Sequence, residues 1–164
     1  MTHDVPIRID AAAEADVPLV LAMIRELAEY ERLAHACVAT EDALRTHLFG
    51  PRPAAEVVIA RIDVQPVGFA LFFPTFSTFL AKPGIYLEDV YVKPPFRRQG
   101  VGRALLHHLA SLAVARDYGR LEWAALDWNE PAIRFYRKIG AVTMDEWTTF
   151  RLAGDALRTF GESM

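Results

Sequence analysis

The residues with the clearest chemical content are an acidic pair and a glycine-rich turn that follows it. Glu88 and Asp89 lie within an apolar stretch, residues 85–92, which predicts a strand with one carboxylate on each face. The turn, residues 97–102, has the sequence RRQGVG and opens a helical pattern. Free backbone N–H groups at a helix N-terminus attract anions, and the two arginines add positive charge, so this turn suits phosphate groups. The alternative is an ordinary capped turn with arginines on the surface.

Known phosphate-binding loops match this turn poorly. A Walker A loop is excluded, because no Gly-Lys-Ser or Gly-Lys-Thr follows. A dinucleotide-binding fingerprint fits badly, because Leu105 occupies the position of its third glycine. On spacing alone, phosphate binding and a simple turn both stay open.

Alternating strands and helices must position these residues. Apolar runs and alternation predict strands at residues 7–9, 57–60, 67–73, 85–92 and 121–126. Three- and four-residue spacing predicts helices at residues 16–31, 40–50, 100–117 and 129–139. Asp16 and Thr40 are expected N-caps, Gly119 is an expected helix stop, and residues 142–152 give one or two further strand segments. The predicted fold class is α/β with a mixed sheet, in which strand 67–73 is central.

Length and composition exclude several classes of protein. The chain has 164 residues and a net charge of −3, which favour one domain and argue against a general nucleic-acid binder. No signal-peptide pattern and no apolar stretch of about 18 residues is found, so we expect a cytoplasmic protein without a membrane segment. The single cysteine, Cys37, is expected to be buried and reduced, and the five histidines have no metal-ligand spacing.

The turn and the strand before it resemble a known motif. The strand ending in YVKP, residues 91–94, and the pattern Arg97-x-x-Gly100-x-Gly102 resemble the acetyl-CoA pyrophosphate motif of the GCN5-related N-acetyltransferases. Three segments look like the diamine (spermidine/spermine) branch, which includes thialysine acetyltransferases: YLEDV at residues 86–90, WNEPAIRFY at 128–136 and ELAEYE at 26–31. The resemblance covers nearly the whole chain. It implies a single GNAT domain at residues 5–160, with a mixed, mostly antiparallel twisted sheet flanked by helices and splayed central strands.

The resemblance also implies acetyl-CoA as the cosubstrate, with no metal. Acetyl-CoA would lie between strand 87–92 and strand 121–127, with its pantetheine arm paired to the backbone near Val90 and Val92. A backbone N–H near Val90 would face the thioester oxygen. The implied cofactor-binding residues are Val90, Tyr91, Val92, Arg97, Arg98, Gln99, Gly100, Val101, Gly102, Arg103, Asn129 and Tyr136.

Two residues match catalytic positions of the diamine branch. Glu88 falls at the proposed general base, which would act through water on a protonated amine. Its alternative is a solvated residue on the polar face of a half-buried strand. Tyr136 falls at the tyrosine that protonates the departing CoA sulfur, and its alternative is an aromatic core residue beside Phe135. Asn129 suits both a helix N-cap and a hydrogen bond to pantetheine.

The acceptor implied by the resemblance is a small cationic amine. The implied substrate-binding residues are Tyr30, Glu31, Glu88, Asp89 and Trp128. Asp89 could instead pair with an arginine, and Trp128 could be a core residue. The diamine enzymes tend to carry an acidic residue and a tryptophan in the loop where this chain has Ser77 and Phe79. With one carboxylate fewer, a diamine, thialysine or a lysine-like amino acid fits as well as a long polyamine, or better.

The leading hypothesis is therefore acetyl transfer to a primary amine by direct attack in a ternary complex. The alternatives are an acyl-CoA sensor without turnover and a protein or peptide N-acetyltransferase. Because members of this branch are commonly homodimers, a homodimer is expected. Apolar residues near the end of the chain could pack on a partner or fold back; they include Trp147, Phe150, Leu152 and Leu157.

Overall fold

The described part of the chain forms a five-stranded sheet whose strands lie side by side in the order in which they occur along the chain. The computed structural model describes residues 6–163. The strands are β1 (Ile7–Ala11), β2 (Glu56–Ile62), β3 (Gln65–Ser77), β4 (Lys82–Val92) and β5 (Leu121–Trp123). The chain divides into two compact units, Met1–Ala124 and Ala125–Met164, and the whole sheet belongs to the first. The predicted mixed, mostly antiparallel sheet with β3 at its centre is confirmed.

The parallel contact between β4 and β5 is short. The first four strands pair in antiparallel fashion, whereas β5 pairs in parallel with β4 from Ile85↔Leu121 to Leu87↔Trp123. β4 then continues to Val92 without a strand on that edge among the described residues. β5 is shorter than the predicted strand at 121–126. The two strands therefore pair over three residues only, and β4 runs on without β5 as the predicted splay requires.

Helix α1 (Val17–Tyr30) packs its apolar face against one side of the sheet. Val20 and Met23 are fully buried with Phe69 of β3 and Tyr91 of β4. The helix begins next to Asp16 as predicted, but the Asp16 side chain makes no capping hydrogen bond. Instead it accepts the Ala13 N–H and pairs with Arg61, because a 3₁₀ turn precedes the helix.

The second helix is shorter than predicted. Thr40 caps α2 (Glu41–Leu44) by accepting the Ala43 N–H at 3.2 Å, as expected. A π-helical turn, Arg45–Phe49, follows before Gly50. The preceding connection holds Cys37, which is a free, half-buried thiol rather than the fully buried one expected.

Helix α3 (Val101–Ala115) connects β4 to β5 and buries Leu105 and Leu109. The predicted stop at Gly119 is wrong. The chain leaves the helix at Asp117, which adopts the left-handed conformation (φ 54°) that usually favours glycine or asparagine. Gly119 is instead a site of close packing, since a Cβ there would lie 2.9 Å from the Leu80 side chain.

The second unit contains α4 (Glu130–Lys138) and α5 (Gly154–Glu162). The strand segments expected at residues 142–152 are wrong, because these residues, all described, pair with no strand. Helix α5 was not predicted. None of the described residues 125–163 is fully buried, and Trp147, Phe150 and Phe160 are each more than 70% exposed. In residues 6–163, no helix has the length and apolar character that crossing a membrane requires.

Candidate functional site

A β-bulge places the acidic pair. Leu71 of β3 pairs with Asp89, but the next residue, Phe72, pairs with Leu87, so Glu88 is the extra residue of β4. Paired residues share a face of the sheet, and Leu71 packs against the apolar cluster under α1. Asp89 therefore faces α1. The bulge interrupts the strict alternation on which the expectation of opposite faces for Glu88 and Asp89 rests.

Both carboxylates open into one small cavity of about 40 Å³. Its wall comes from the end of α1, the bulge of β4 and the end of β5. The lining residues are Leu27, Glu31, Leu87, Glu88, Asp89, Val90, Trp123 and Ala124. The cavity thus lies where the β4–β5 ladder stops, and three of its residues are acidic.

The carboxyl groups of the cavity are poorly solvated and repel one another. Burial, together with the negative charges of Glu88 and Glu31, raises the pKa of Asp89 from 3.8 to about 6. Burial also raises the pKa of Glu31. Like charges in a poorly solvated cavity disfavour each other's ionised forms. A cation bound among these three groups would relieve that cost.

The glycine-rich turn has the geometry of an anion site. Arg98 (φ 64°) and Gly100 (φ 87°) both adopt left-handed conformations just before α3. Gly100 is the N-cap and has no side chain to accept the first N–H groups of the helix. Arg98 and Gln99 are exposed, and the Gln99 side chain donates to the Pro95 carbonyl at 2.9 Å. Together with the edge of β4 that β5 leaves unpaired, this turn offers backbone donors to an anionic ligand.

The N-terminal residues of α3 contribute mainly backbone groups. Val101 is buried, whereas Gly102 and Arg103 are partly or fully exposed. A Cβ added to Gly102 would make ordinary van der Waals contact with Val92, 3.8 Å away. The first N–H groups of a helix have no acceptor within the helix, so those at this end of α3 can donate to an anion.

The side chain of Arg97 is used inside the protein. Its Nε donates to the Val92 carbonyl at 2.9 Å, and its guanidinium carbon lies 4.6 Å from the centre of the Tyr30 ring. Tyr91, expected to bind cofactor, has a buried side chain whose hydroxyl donates to Glu26 at 3.0 Å. Burial and the Glu26 carboxylate raise the pKa of Tyr91 to about 12. Only the backbone of Tyr91 is accessible to a ligand in this arrangement.

Three predicted residues lie in the second unit. Asn129 is the N-cap residue of α4, but its side chain makes no capping hydrogen bond. Tyr136 is half-buried in α4, with its ring centre 5.7 Å from that of Phe135. Trp128 precedes the helix and is 45% exposed, so it is not a core residue.

Comparison with known proteins identifies the family. Residues 21–141 match the model of the acetyltransferase (GNAT) family. The chain belongs to this family. It is an acetyl-CoA-dependent N-acetyltransferase that uses an amine acceptor.

Relatives and solved structures agree with this assignment. The acetyltransferase is similar to an L-ornithine N5-acetyltransferase from Arabidopsis thaliana, with 35% identity over 92% of this chain and 86% of that protein. It is also similar to a thialysine N-epsilon-acetyltransferase from Mus musculus, with 36% identity over 92% and 95%. Among solved structures, an integron cassette protein from the mobile metagenome of V. cholerae superimposes with a TM-score of 0.80. Its identity is 25%, and 95% of this chain and 98% of that chain are covered.

Sequence reasoning missed part of the acetyltransferase's cavity wall. Trp123 lines the cavity from β5, whereas only Trp128 was singled out. The signal was available, since Trp123 ends the strand that follows α3. Ser77, compared with acceptor-loop positions, is buried at the end of β3 and accepts the Leu80 N–H at 3.3 Å. Phe79 is fully exposed in the turn after it.

Proposed function

We propose that the acceptor is a primary amine of a small cationic molecule, such as a diamine, a polyamine, thialysine or a lysine-like amino acid. The observation that carries this proposal is the convergence of Glu31, Glu88 and Asp89 on one cavity. The relatives named for ornithine and thialysine acetylation support it, because both of those amino acids carry an additional amine.

The cavity accommodates a cationic head group. Its volume of about 40 Å³ has room for an ammonium group. Leu27 and Trp123 provide apolar walls for the methylene groups next to the nitrogen. Ser77 is a hydroxyl residue where the diamine enzymes tend to carry a carboxylate, and its side chain is buried in its own turn.

We assign the proton transfers to two residues. Glu88, which is exposed beside the cavity, accepts the proton of the reacting ammonium group through water. Asp89 and Glu31 pair with the positive charge that remains elsewhere on the acceptor. Acetyl-CoA supplies an acetyl group already activated as a thioester, so no metal is needed for direct attack. The Tyr136 hydroxyl gives its proton to the departing sulfur, whose conjugate acid has a pKa near ~9, close to that of a phenol. The Val90 N–H donates to the oxygen on which negative charge develops.

Acetyl-CoA is assigned to the exposed turn and the open edge of β4. The Arg98 side chain and the N–H groups at the start of α3 face the phosphates, and the backbone of Val90 and Val92 pairs with pantetheine. Asn129 adds a side-chain amide to the same arm. The family match spans residues 21–141 and so includes parts of both units, which supports a single functional domain over residues 5–160.

We further propose a homodimer in a reducing, cytoplasmic setting. The free thiol of Cys37 is compatible with such a compartment. The exposed apolar side chains of residues 142–160 support a subunit interface, because they lack burial in one chain; they are Val142, Met144, Trp147, Phe150, Leu152, Leu157 and Phe160.

Acetyl transfer is tested by thiol release from acetyl-CoA across a panel of amines. We expect CoA thiol to appear only when both acetyl-CoA and a diamine, thialysine or a lysine-like amino acid are present. Aminoglycosides and a lysine-containing peptide serve as comparison acceptors. Tight acetyl-CoA binding without product for any amine would instead identify a sensor, and faster turnover with the peptide would identify a protein acetyltransferase.

The pH profile tests the acidic pair. Asp89 ionises as the pH rises through about 6, and only the ionised form attracts a cation, so kcat/KM for the amine should fall below pH 6. Asp89→Asn should abolish this acidic limb. In Glu88→Gln, the loss of a neighbouring negative charge lowers the pKa of Asp89, so the limb should move to lower pH and kcat should drop about 100-fold. A Glu88→Gln profile identical to that of the wild type would remove Glu88 from the reaction.

The variant Tyr136→Phe tests whether Tyr136 protonates the departing sulfur of CoA. The variant should reduce kcat about 10- to 100-fold, because the leaving sulfur loses its proton donor, while the Kd for acetyl-CoA changes by less than about 3-fold. Steady-state kinetics and calorimetry separate the two effects. Phe135→Leu is the matched control on the neighbouring ring and should retain kcat. Unchanged turnover in Tyr136→Phe would show that another group protonates the sulfur.

Sedimentation velocity tests the assembly. At micromolar concentration the chain of 18.4 kDa should sediment as a species of twice that mass. Replacement of Trp147 and Phe150 by serine should shift the distribution towards the monomer. A wild-type monomer at the same concentration contradicts the proposed dimer.

A further inference from the structure

Two adjacent arginines in the turn before α3 have different surroundings. Arg98 is exposed on a left-handed backbone. Arg97 is partly buried, and its guanidinium carbon lies 4.6 Å from the centre of the Tyr30 ring and 5.7 Å from that of Tyr91. Its Nε also donates to the Val92 carbonyl at 2.9 Å. Because its side chain already contacts two rings and a carbonyl group, Arg97 is poorly placed to bind a phosphate group as well.

The partners of Arg97 belong to both substrate sites of the proposed function. Tyr30 is the last residue of α1, and the next residue, Glu31, lines the acidic cavity. Val92 ends the part of β4 that β5 leaves unpaired. The contact therefore ties the acceptor end of α1 to the cofactor edge of β4.

A second contact holds the same two elements together. Glu26, one turn before Tyr30 on α1, accepts the Tyr91 hydroxyl at 3.0 Å and lies 3.9 Å from the Lys93 ammonium. Arg97 and Glu26 thus both connect α1 to β4. Glu31 directly follows Tyr30 on the helix, and Asp89 lies two residues before Tyr91 on the strand, so these contacts lie next to both carboxylates.

We propose that Arg97 is a positioning residue that couples the amine site to the acetyl-CoA site, and that Arg98 supplies the side-chain cation for the phosphates. The inference rests on the proposed function. A planar guanidinium can stack on a ring and donate a hydrogen bond at once, whereas the compact ammonium of lysine does not reproduce this geometry. Charge alone will therefore not replace Arg97.

The matched variants Arg97→Gln and Arg98→Gln test the proposal, because each removes one positive charge from the same turn. Arg98→Gln should raise the Kd for acetyl-CoA about 10-fold in calorimetry and leave the amine KM at saturating acetyl-CoA within about 2-fold. Arg97→Gln should raise that amine KM about 10-fold. Arg97→Lys should not restore the amine KM, although it restores the charge.

A double-mutant cycle with Tyr30→Leu separates coupling from a general loss of structure. The two substitutions should be non-additive in the amine KM, because each breaks the same contact. Thermal unfolding identifies the variants that remain folded, and Tyr30→Leu provides a second way to break the contact if Arg97→Gln unfolds. Additive effects overturn the proposal, as does an Arg97→Gln variant that weakens only acetyl-CoA binding and is rescued by lysine. If the wild type acetylates no amine, the proposed function itself is contradicted. If the wild type is active but the effects of the two substitutions are additive, only the coupling is contradicted.

Discussion

The early end of the hydrogen-bonded ladder between β4 and β5 is the constraint on which the rest of the structure depends. Strands that paired along their whole length would satisfy every backbone group and leave no space between them. Here the ladder ends at Leu87 and Trp123, and the following five residues of β4 keep one edge open. That edge can accept the backbone-like amides of a pantetheine arm. The cavity at the end of the ladder opens at the same place, so both substrates can approach one strand.

The acidic cavity and the basic turn represent two different uses of charge. In the cavity, burial and mutual repulsion make ionised carboxylates costly, so a cation held among them would offset that cost. In the turn, the positive ends of backbone dipoles are left without a side-chain cap, and Arg98 adds charge in solvent. The small net charge of −3 hides this separation.

Periodicity and motif spacing predicted the elements that carry the site, because these signals are local. The strand with Glu88 and Asp89, the turn at residues 97–102 and helix α4 with Tyr136 all lie where expected. What the sequence did not predict depends on register and on long-range contacts. A bulge is invisible in an apolar run, so the presence of both carboxylates at one cavity was missed. The guanidinium of Arg97 packs on the ring of Tyr30, which is 67 residues away in the chain, and local spacing cannot predict such a contact. The apolar residues at 142–152 resembled strands, but a strand needs a neighbour to pair with, and periodicity cannot supply one.

The bulge at Glu88 also changes the parity of β4. In a regular strand, Leu87 and Asp89 would lie two positions apart on the same face, and one of them would carry the wrong polarity for its surroundings. With one extra residue, Leu87 shares a face with Phe72 while Asp89 shares the opposite face with Leu71. Before the bulge, the odd-numbered residue Leu87 faces one side of the sheet. After the bulge, the odd-numbered residues Asp89 and Tyr91 face the other side. Deletion of Glu88 would restore a regular ladder with Leu87 and Asp89 on their present faces, but it would also remove one of the carboxylates that line the cavity.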